Sequence, residues 1–326
     1  MAPSSPTDNG PSQSLVCYEV TMDYGVHLPH LGRSATRANI IEWAEEAEHL
    51  GLHSAWVSDH VAWPRAIESS YPYTDDGSFP GGFDMPWLDP LTTLSFVAAC
   101  TDRIKLGTTV LILGYRPAVI TAKWLASLDV LSEGRTILGI GVGWMREEFE
   151  VLDMPFDRRG ARADEQLAVF ETLFTQETPS FEGDFTSIPE IGFSPKPVQA
   201  PLPVWVGGST PAAFRRTARF GEAFHAAFEP IDVVAQEWNA VRVACEAINR
   251  DPADVRLSVR LHLDPEGRMP PEKSLAGSAD QMATTLGEWA DIGVDHLLLD
   301  VVAPGGAPGR LDALRDFMTE VAPAVP

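Results

Sequence analysis

Eight short apolar runs recur along the chain, at 22–28, 53–58, 104–111, 136–142, 202–206, 223–228, 256–263 and 296–302. All but one end within a residue or two of Gly, Pro, Asp or Ser, while 104–111 meets no such residue until Gly114; this is the pattern of strands buried on both faces. Between them lie longer segments whose apolar residues return at helical spacing: 35–50, 89–101, 117–132, 160–176, 211–220, 232–249, 278–292 and 309–322. In "ANIIEWAEEAEHLG" the residues Ile40, Ile41, Ala44, Ala47 and Leu50 follow that period, and Gly51 ends it.

Strict alternation of eight strands with eight helices predicts an α/β fold of the closed (βα)8 TIM-barrel type, with one domain spanning 18–326. Two Rossmann-like halves would need about six strands each and a linker, and neither is visible. In a barrel, chemistry sits at the C-terminal ends of the strands, so the residues after each apolar run are the address to search. Three inserts break the rhythm. Residues 61–88 carry Trp63, Tyr71, Tyr73, Phe79, Phe83 and Trp87; 178–201 reads as a hairpin plus a Pro-rich return; 264–277 is a shorter polar loop. Long loops at the catalytic face are usually lids or substrate walls, and the aromatic one points to a bulky, largely apolar substrate.

Composition narrows the partners. Lys plus Arg is 24 against 46 Asp plus Glu, a net charge of −22, which repels nucleic acid and anionic membranes. An anionic ligand must therefore be held by local features such as helix N-termini and a few arginines, and a small molecule is the expected partner. No apolar run reaches the ~18 residues of a membrane span. The opening "MAPSSPTDNGPSQSLVC" lacks a secretory leader's basic start and apolar centre, and 1–17 reads as a disordered tail. Cys17, Cys100 and Cys245 show neither disulfide nor metal spacing, so a reducing cytoplasm is expected.

The strand ends supply the candidates. "WVSDHVAWP" delivers Asp59, His60 and Trp63, where a histidine can exchange a proton near neutral pH; a capping Asp beside a packed His is the plain alternative. "VWVGGSTPAAFRR" places Gly207, Gly208 and Ser209 before a helix that opens on Pro211, either a phosphate cradle or an ordinary tight turn. "LGTTVLILGYRP" reads as a strand with a bulge at the barrel mouth. "GVHLPHLG" brings His27 and His30. With Asp59, His60 and His225 they form a conceivable metal set, but the His-x-His spacing of metal barrels is absent and no metal is expected. "ILGIGVGWMREEF" fails as a dinucleotide fingerprint, because Trp144 stands where a third small residue is required. It reads instead as a strand whose Gly139, Gly141 and Gly143 share one face. Gly141 and Gly143 would clear space for a flat ring, while Gly139 relieves packing lower down.

Together "WVSDHV", "DPLTTLSFVAACTDRIKLGTTVLIL", "RPAVITAKWLASLDVLSEGRTILGIGVGWMREEFEVLDMPFDRRGARADE" and "PVWVGGSTPAAFRRTARFG" resemble the bacterial-luciferase-like superfamily of flavin and deazaflavin oxidoreductases over about 22–320. The resemblance is closest to the actinobacterial coenzyme F420-dependent subgroup. It implies a homodimer whose barrel mouth holds the ring. Asp59 and His60 would lie beside the ring in catalytic and binding roles, with Asp59 orienting His60 or bonding the ring. Thr109–Val110 would form a non-prolyl cis peptide behind it, and Gly207, Gly208 and Ser209 would hold the phosphate with help from Arg158 or Arg162. Trp63, Trp144 and His27 would line the substrate side. The sugar-phosphate branch keeps a glutamate where this chain has Trp144, with Glu147 and Glu148 following, so a different substrate is expected. An FMN-dependent monooxygenase fed by a separate reductase is the alternative. A metal-dependent hydrolase or a barrel that binds without turnover stands further off.

Overall fold

Eight parallel staves close on themselves in the computed structural model, which describes residues 22–324 apart from Asp75; the tail expected over 1–17 lies outside these residues. In chain order the strands are β1 (Asp23–His27), β2 (Ser54–Val57), β3 (Lys105–Thr108), β4 (Leu111–Ile112), β5 (Thr136–Gly141) and β6 (Phe181–Glu182). They continue as β7 (Ser187–Ile188), β8 (Val204–Gly207), β9 (Ala223–Ala227), β10 (Arg256–Asp264), β11 (Ser274–Ala276) and β12 (His296–Val301). The staves run β1–β2–β3–β5–β8–β9–β10–β12, and β12 returns to β1 with Asp23 opposite His296. The helices are α1 (Arg37–His49), α2 (Pro90–Ala98), α3 (Ala118–Leu131), α4 (Arg146–Val151), α5 (Arg159–Thr175), α6 (Pro211–Phe220), α7 (Ile231–Glu246), α8 (Ala279–Asp291) and α9 (Gly306–Asp316).

Local chemistry sets the helix starts. Thr36 caps α1 through the Asn39 amide, Asp89 caps α2 ahead of Pro90, and Ser278 with Gln281 forms a capping box on α8. The structure departs from the sequence pattern in four places. The third stave is broken rather than bulged: β3 stops at Thr108, the Thr109–Val110 peptide is cis, and β4 resumes against β5. A short α4, absent from the periodic segments, follows β5 because Phe149 is drawn into a cluster with Ile112 and Tyr115. The loop expected over 264–277 contains β11, which pairs with the upper end of β10 beyond the last residue of β9. The last helix begins at Gly306 and passes into a π-turn over Phe317–Val321. The 178–201 insert is the expected hairpin, β6 with β7, followed by a return through Pro195 and Pro201.

Apolar side chains fill the shell between staves and helices, and a second cluster of Trp56, Ile137, Trp205, Ala223 and Leu298 fills the barrel itself. Trp56 occupies the centre because its neighbours carry glycine: a Cβ on Gly107 would lie 2.3 Å from the indole. Gly139 is tighter still, since its Cβ would fall 1.8 Å from the Thr108 carbonyl oxygen, a backbone atom that cannot rotate away. Gly139→Ala is therefore expected to cost about 3 kcal/mol or more. Gly192→Ala, at a site with nothing within 4 Å, should be nearly silent by this clash criterion. Urea unfolding of the two variants checks the contrast.

Candidate functional site

Asp59 and His60 leave the end of β2 in different directions, as successive residues of an extended chain do. Asp59 turns into the wall. Its carboxylate accepts from Arg116 at 2.6 and 2.9 Å and from the Ile112 amide at 3.0 Å, while Arg116 also reaches Asp89 at 3.0 Å. Burial pushes the Asp59 carboxyl up and Arg116 pulls it back. The pair locks the end of β2 to the stretch after the broken stave and to the cap of α2. Asp59 makes no hydrogen bond to His60, so the expectation that it orients the imidazole is corrected.

That partner is Glu148. Its carboxylate, wholly buried in the first turn of α4, lies 2.6 Å from His60 Nδ1. It also accepts from Tyr115 Oη at 2.6 Å and from the Val61 and Ala62 amides at 2.6 and 3.1 Å. Burial pushes this carboxyl up, but the bonds from His60 and Tyr115 more than offset it and hold it below its ordinary value. An ionised Glu148 requires a proton on Nδ1, which leaves His60 Nε2 as the nitrogen able to take or return a proton. Glu147 faces elsewhere, accepting the Glu68 and Ser69 amides at 2.8 and 3.0 Å and pinning the aromatic insert.

That insert folds down around His60. The centroids of Trp63 and Trp87 lie 4.3 and 4.9 Å from the imidazole, with Phe79 and Trp144 at 5.9 and 6.2 Å. Trp63 stacks on Phe79 at 4.4 Å, and Trp144 packs edge-on to Tyr71 at 5.1 Å. The two tryptophans expected on the substrate side thus share one aromatic collar with the histidine.

On the far side of the mouth, Arg260 of β10 donates to Asp300 of β12 at 2.6 Å and to the Thr109 carbonyl at 3.3 Å. Its guanidinium lies over the Phe228 ring at 4.9 Å. His27 sits 3.5 Å from Asp300 and 3.3 Å from Ser58 Oγ. Sequence reasoning missed Arg260 and Asp300, and also Glu148 and Arg116 as partners of the predicted pair. The signal for the first two was present, because a charge inside a strand buried on both faces is the informative exception.

The remaining expected residues divide. Gly141, expected to clear space for a ring, clears it for Val110, whose Cγ2 methyl lies 2.4 Å from where a Cβ would stand; the other methyl, Cγ1, would lie 3.1 Å from a Cβ on Gly207. Gly143 has left the shared face. β5 ends at Gly141, alternation ends with it, and at φ +78° the Gly143 position faces Ile112 and Phe149. Gly208 adopts φ +113°, and Thr210 rather than Ser209 caps α6 through the Ala213 amide at 3.2 Å. Arg162 stacks on Phe185 at 4.2 Å with its buried Nε unpartnered among the described residues, and Arg158 pairs with Asp184 at the surface. No hydrogen bond joins either arginine to the 207–209 turn among the described residues. α5 and α6 are nevertheless tied, by Arg216 to Asp164 at 2.6 Å and to the Gly160 carbonyl at 3.0 Å.

His27, His30, His60 and His225 each face a protein partner. His30 Nδ1 lies 3.1 Å from the Leu28 carbonyl and its Nε2 accepts from the Ser58 amide at 3.1 Å. Among the described residues no group of three or more His, Cys, Asp or Glu is placed to hold a metal. Burial lowers His30 to about 4 and, helped by Arg260, lowers His225 to about 3. Both are neutral when folded and take up a proton near 6.5 when unfolded. Their stabilisation is complete above that value and is lost as pH falls toward 4, at about 1.4 kcal/mol per pH unit for each fully shifted group. Thermal melts between pH 7 and 4 should show Tm falling steeply, and His30→Gln should flatten the slope.

Comparison with known proteins follows the same lines. The profile described as luciferase-like monooxygenase matches residues 21–264. An uncharacterized protein of Mycobacterium tuberculosis is 32% identical over 217 residues, 67% of this chain and 75% of that protein. The F420-dependent glucose-6-phosphate dehydrogenase of Amycolatopsis mediterranei is 33% identical over 191 residues, 57% of this chain and 52% of the enzyme. Among solved structures, the monooxygenase RslO1 from Streptomyces bottropensis superposes with a TM-score of 0.73 at 21% identity, covering 93% of this chain and 99% of that one. Among the described residues no helix is long and apolar enough to cross a membrane.

Proposed function

The chain belongs to the luciferase-like monooxygenase family, and from that premise we propose that it is a coenzyme F420-dependent oxidoreductase moving a hydride to or from a bulky, largely apolar organic substrate. The observation that carries this reading is the His60–Glu148 pair set inside an aromatic collar at the barrel mouth. Exchange of a hydride with a carbonyl or alcohol needs a proton to move at the neighbouring oxygen, and this pair is built to move one. We take the ligand of the mouth to be a planar heterocycle with an anionic tail. Aromatic faces stand on one side, the Thr109–Val110 segment cradled by Gly141 and Gly207 stands on another, and the glycine turn before α6 lies at the rim.

Bound there, the deazaflavin supplies the carbon that accepts or gives the hydride. The protein's residues do the rest. Glu148 holds the imidazole with its proton on Nδ1, so Nε2 can take the hydroxyl proton of an alcohol while the hydride departs, or return it in the reverse direction. The imidazolium formed in the first case rests against the Glu148 carboxylate. Trp63, Phe79 and Trp144 exclude water and offer apolar contact, which supports a hydrophobic substrate over a sugar phosphate. The 207–209 turn, with Arg162, would hold the coenzyme's phosphate. The family description favours a second reading, an FMN-dependent monooxygenase served by a separate reductase.

Turnover separates the two. With oxygen excluded, reduced coenzyme F420 should be re-oxidised by aryl ketones or enones only when the protein is present. Oxygen-dependent hydroxylation with reduced FMN, and no protein-dependent reaction with reduced F420, would replace the first reading by the second.

A further inference from the structure

Inside the barrel, below the mouth, runs a file of polar side chains that the hydride chemistry leaves unused. Trp56 Nε1 donates to Ser54 Oγ at 2.7 Å, and Ser54 Oγ lies 2.8 Å from His296 Nε2. His296 Nδ1 lies 2.8 Å from Ser258 Oγ, Ser258 Oγ lies 2.8 Å from His225 Nδ1, and His225 Nε2 ends the file 3.0 Å from Thr109 Oγ1. Trp56, Ser54, His296 and Ser258 are wholly buried, and His225 and Thr109 nearly so. The file crosses β1 only because residue 25 is glycine, where a Cβ would stand 2.6 Å from Ser54 Oγ and 3.0 Å from His296 Nε2.

We infer that this file has one direction, and that it makes the Thr109 hydroxyl a donor to a carbonyl or ring-nitrogen acceptor of the planar heterocycle seated in the mouth. The second half rests on the function proposed above. Direction follows from the first member, since an indole N–H can only donate. Ser54 accepts it and must send its own hydrogen to His296 Nε2, because a buried hydroxyl left without an acceptor is costly. His296 is neutral, burial holding it well below its ordinary value, so its proton sits on Nδ1 and points to Ser258. Ser258 in turn donates to His225 Nδ1, and neutral His225 carries its proton on Nε2, aimed at Thr109 Oγ1. The Thr109 oxygen is thereby occupied as an acceptor, and its hydrogen is directed away from His225. The opposite direction would strand the Ser54 hydrogen in the centre of the barrel. Thr109 is thus a binding residue whose polarity is set by positioning residues up to five side chains away.

Two measurements test this. In the cofactor-free protein with 15N-labelled histidine, long-range nitrogen–proton couplings should report His296 as the Nδ1–H tautomer and His225 as the Nε2–H tautomer. The reverse pair would overturn the directional file whatever the mouth binds. Titration with coenzyme F420, followed by its fluorescence, should show Thr109→Val weakening binding about tenfold and Thr109→Ser restoring most of it. Unchanged affinity in Thr109→Val, with wild-type binding intact, would overturn the donor role alone. If the wild type binds neither F420 nor FMN, the reading of the mouth falls, and the donor role with it.

Discussion

His60→Asn should lower the rate of hydride transfer by about two to four orders of magnitude, while coenzyme affinity changes by less than about tenfold. The expectation rests on the imidazole's double engagement. Its Nδ1 is committed to a carboxylate that receives three further hydrogen bonds, so only Nε2 is left for substrate. Asparagine keeps a polar group in the collar but cannot take a proton at neutral pH. Glu148→Gln should lower the rate by about a hundredfold or more, since the amide NH2 must face either the Val61 and Ala62 amides or His60 and Tyr115, and the imidazolium loses its carboxylate in both cases. Single-turnover rates with reduced coenzyme F420, set beside equilibrium binding of the same variants, separate a proton-transfer role from a ring-holding one. A loss confined to binding would assign His60 to holding the ring.

Arg116→Leu should destabilise the protein by about 3–5 kcal/mol, the largest effect expected of any charged residue here. Asp59 is 2% exposed and takes three of its hydrogen bonds from Arg116 and the Ile112 amide, so removing the guanidinium strands a carboxylate in the wall. The double variant Arg116→Leu with Asp59→Asn should recover roughly half of the loss, because the neutral amide tolerates burial better. Urea unfolding of both variants gives the comparison. Equal stability of single and double variants would mean that the cost lies in lost packing of the arginine stem rather than in the stranded charge.

The barrel was legible because its strands and helices repeat two periods that no other arrangement explains as well. Each stave's existence and the approximate span of most helices followed from the apolar runs and their periods, with Gly51 marking one helix end. What escaped depends on residues far apart in sequence. Glu148 reaches His60 across 88 positions, and nothing local distinguishes it from Glu147, which faces the insert instead. The choice is made by contacts distant in sequence, Phe149 packing on Tyr115 while the Val61 and Ala62 amides take Glu148 and the Glu68 and Ser69 amides take Glu147. Gly143 escaped for a different reason, since alternation assumes an extended chain and the chain turns left-handed there. Trp144, which stands where the sugar-phosphate branch keeps a glutamate, proves to be part of the collar, and the carboxylate that meets His60 is Glu148, four residues later.

The deazaflavin assignment is tested most directly by titrating the purified protein with oxidised coenzyme F420 and with FMN, following the fluorescence of each chromophore. The expected result is low-micromolar binding of F420 and FMN binding at least about tenfold weaker. Micromolar binding of FMN with no measurable binding of F420 would contradict it.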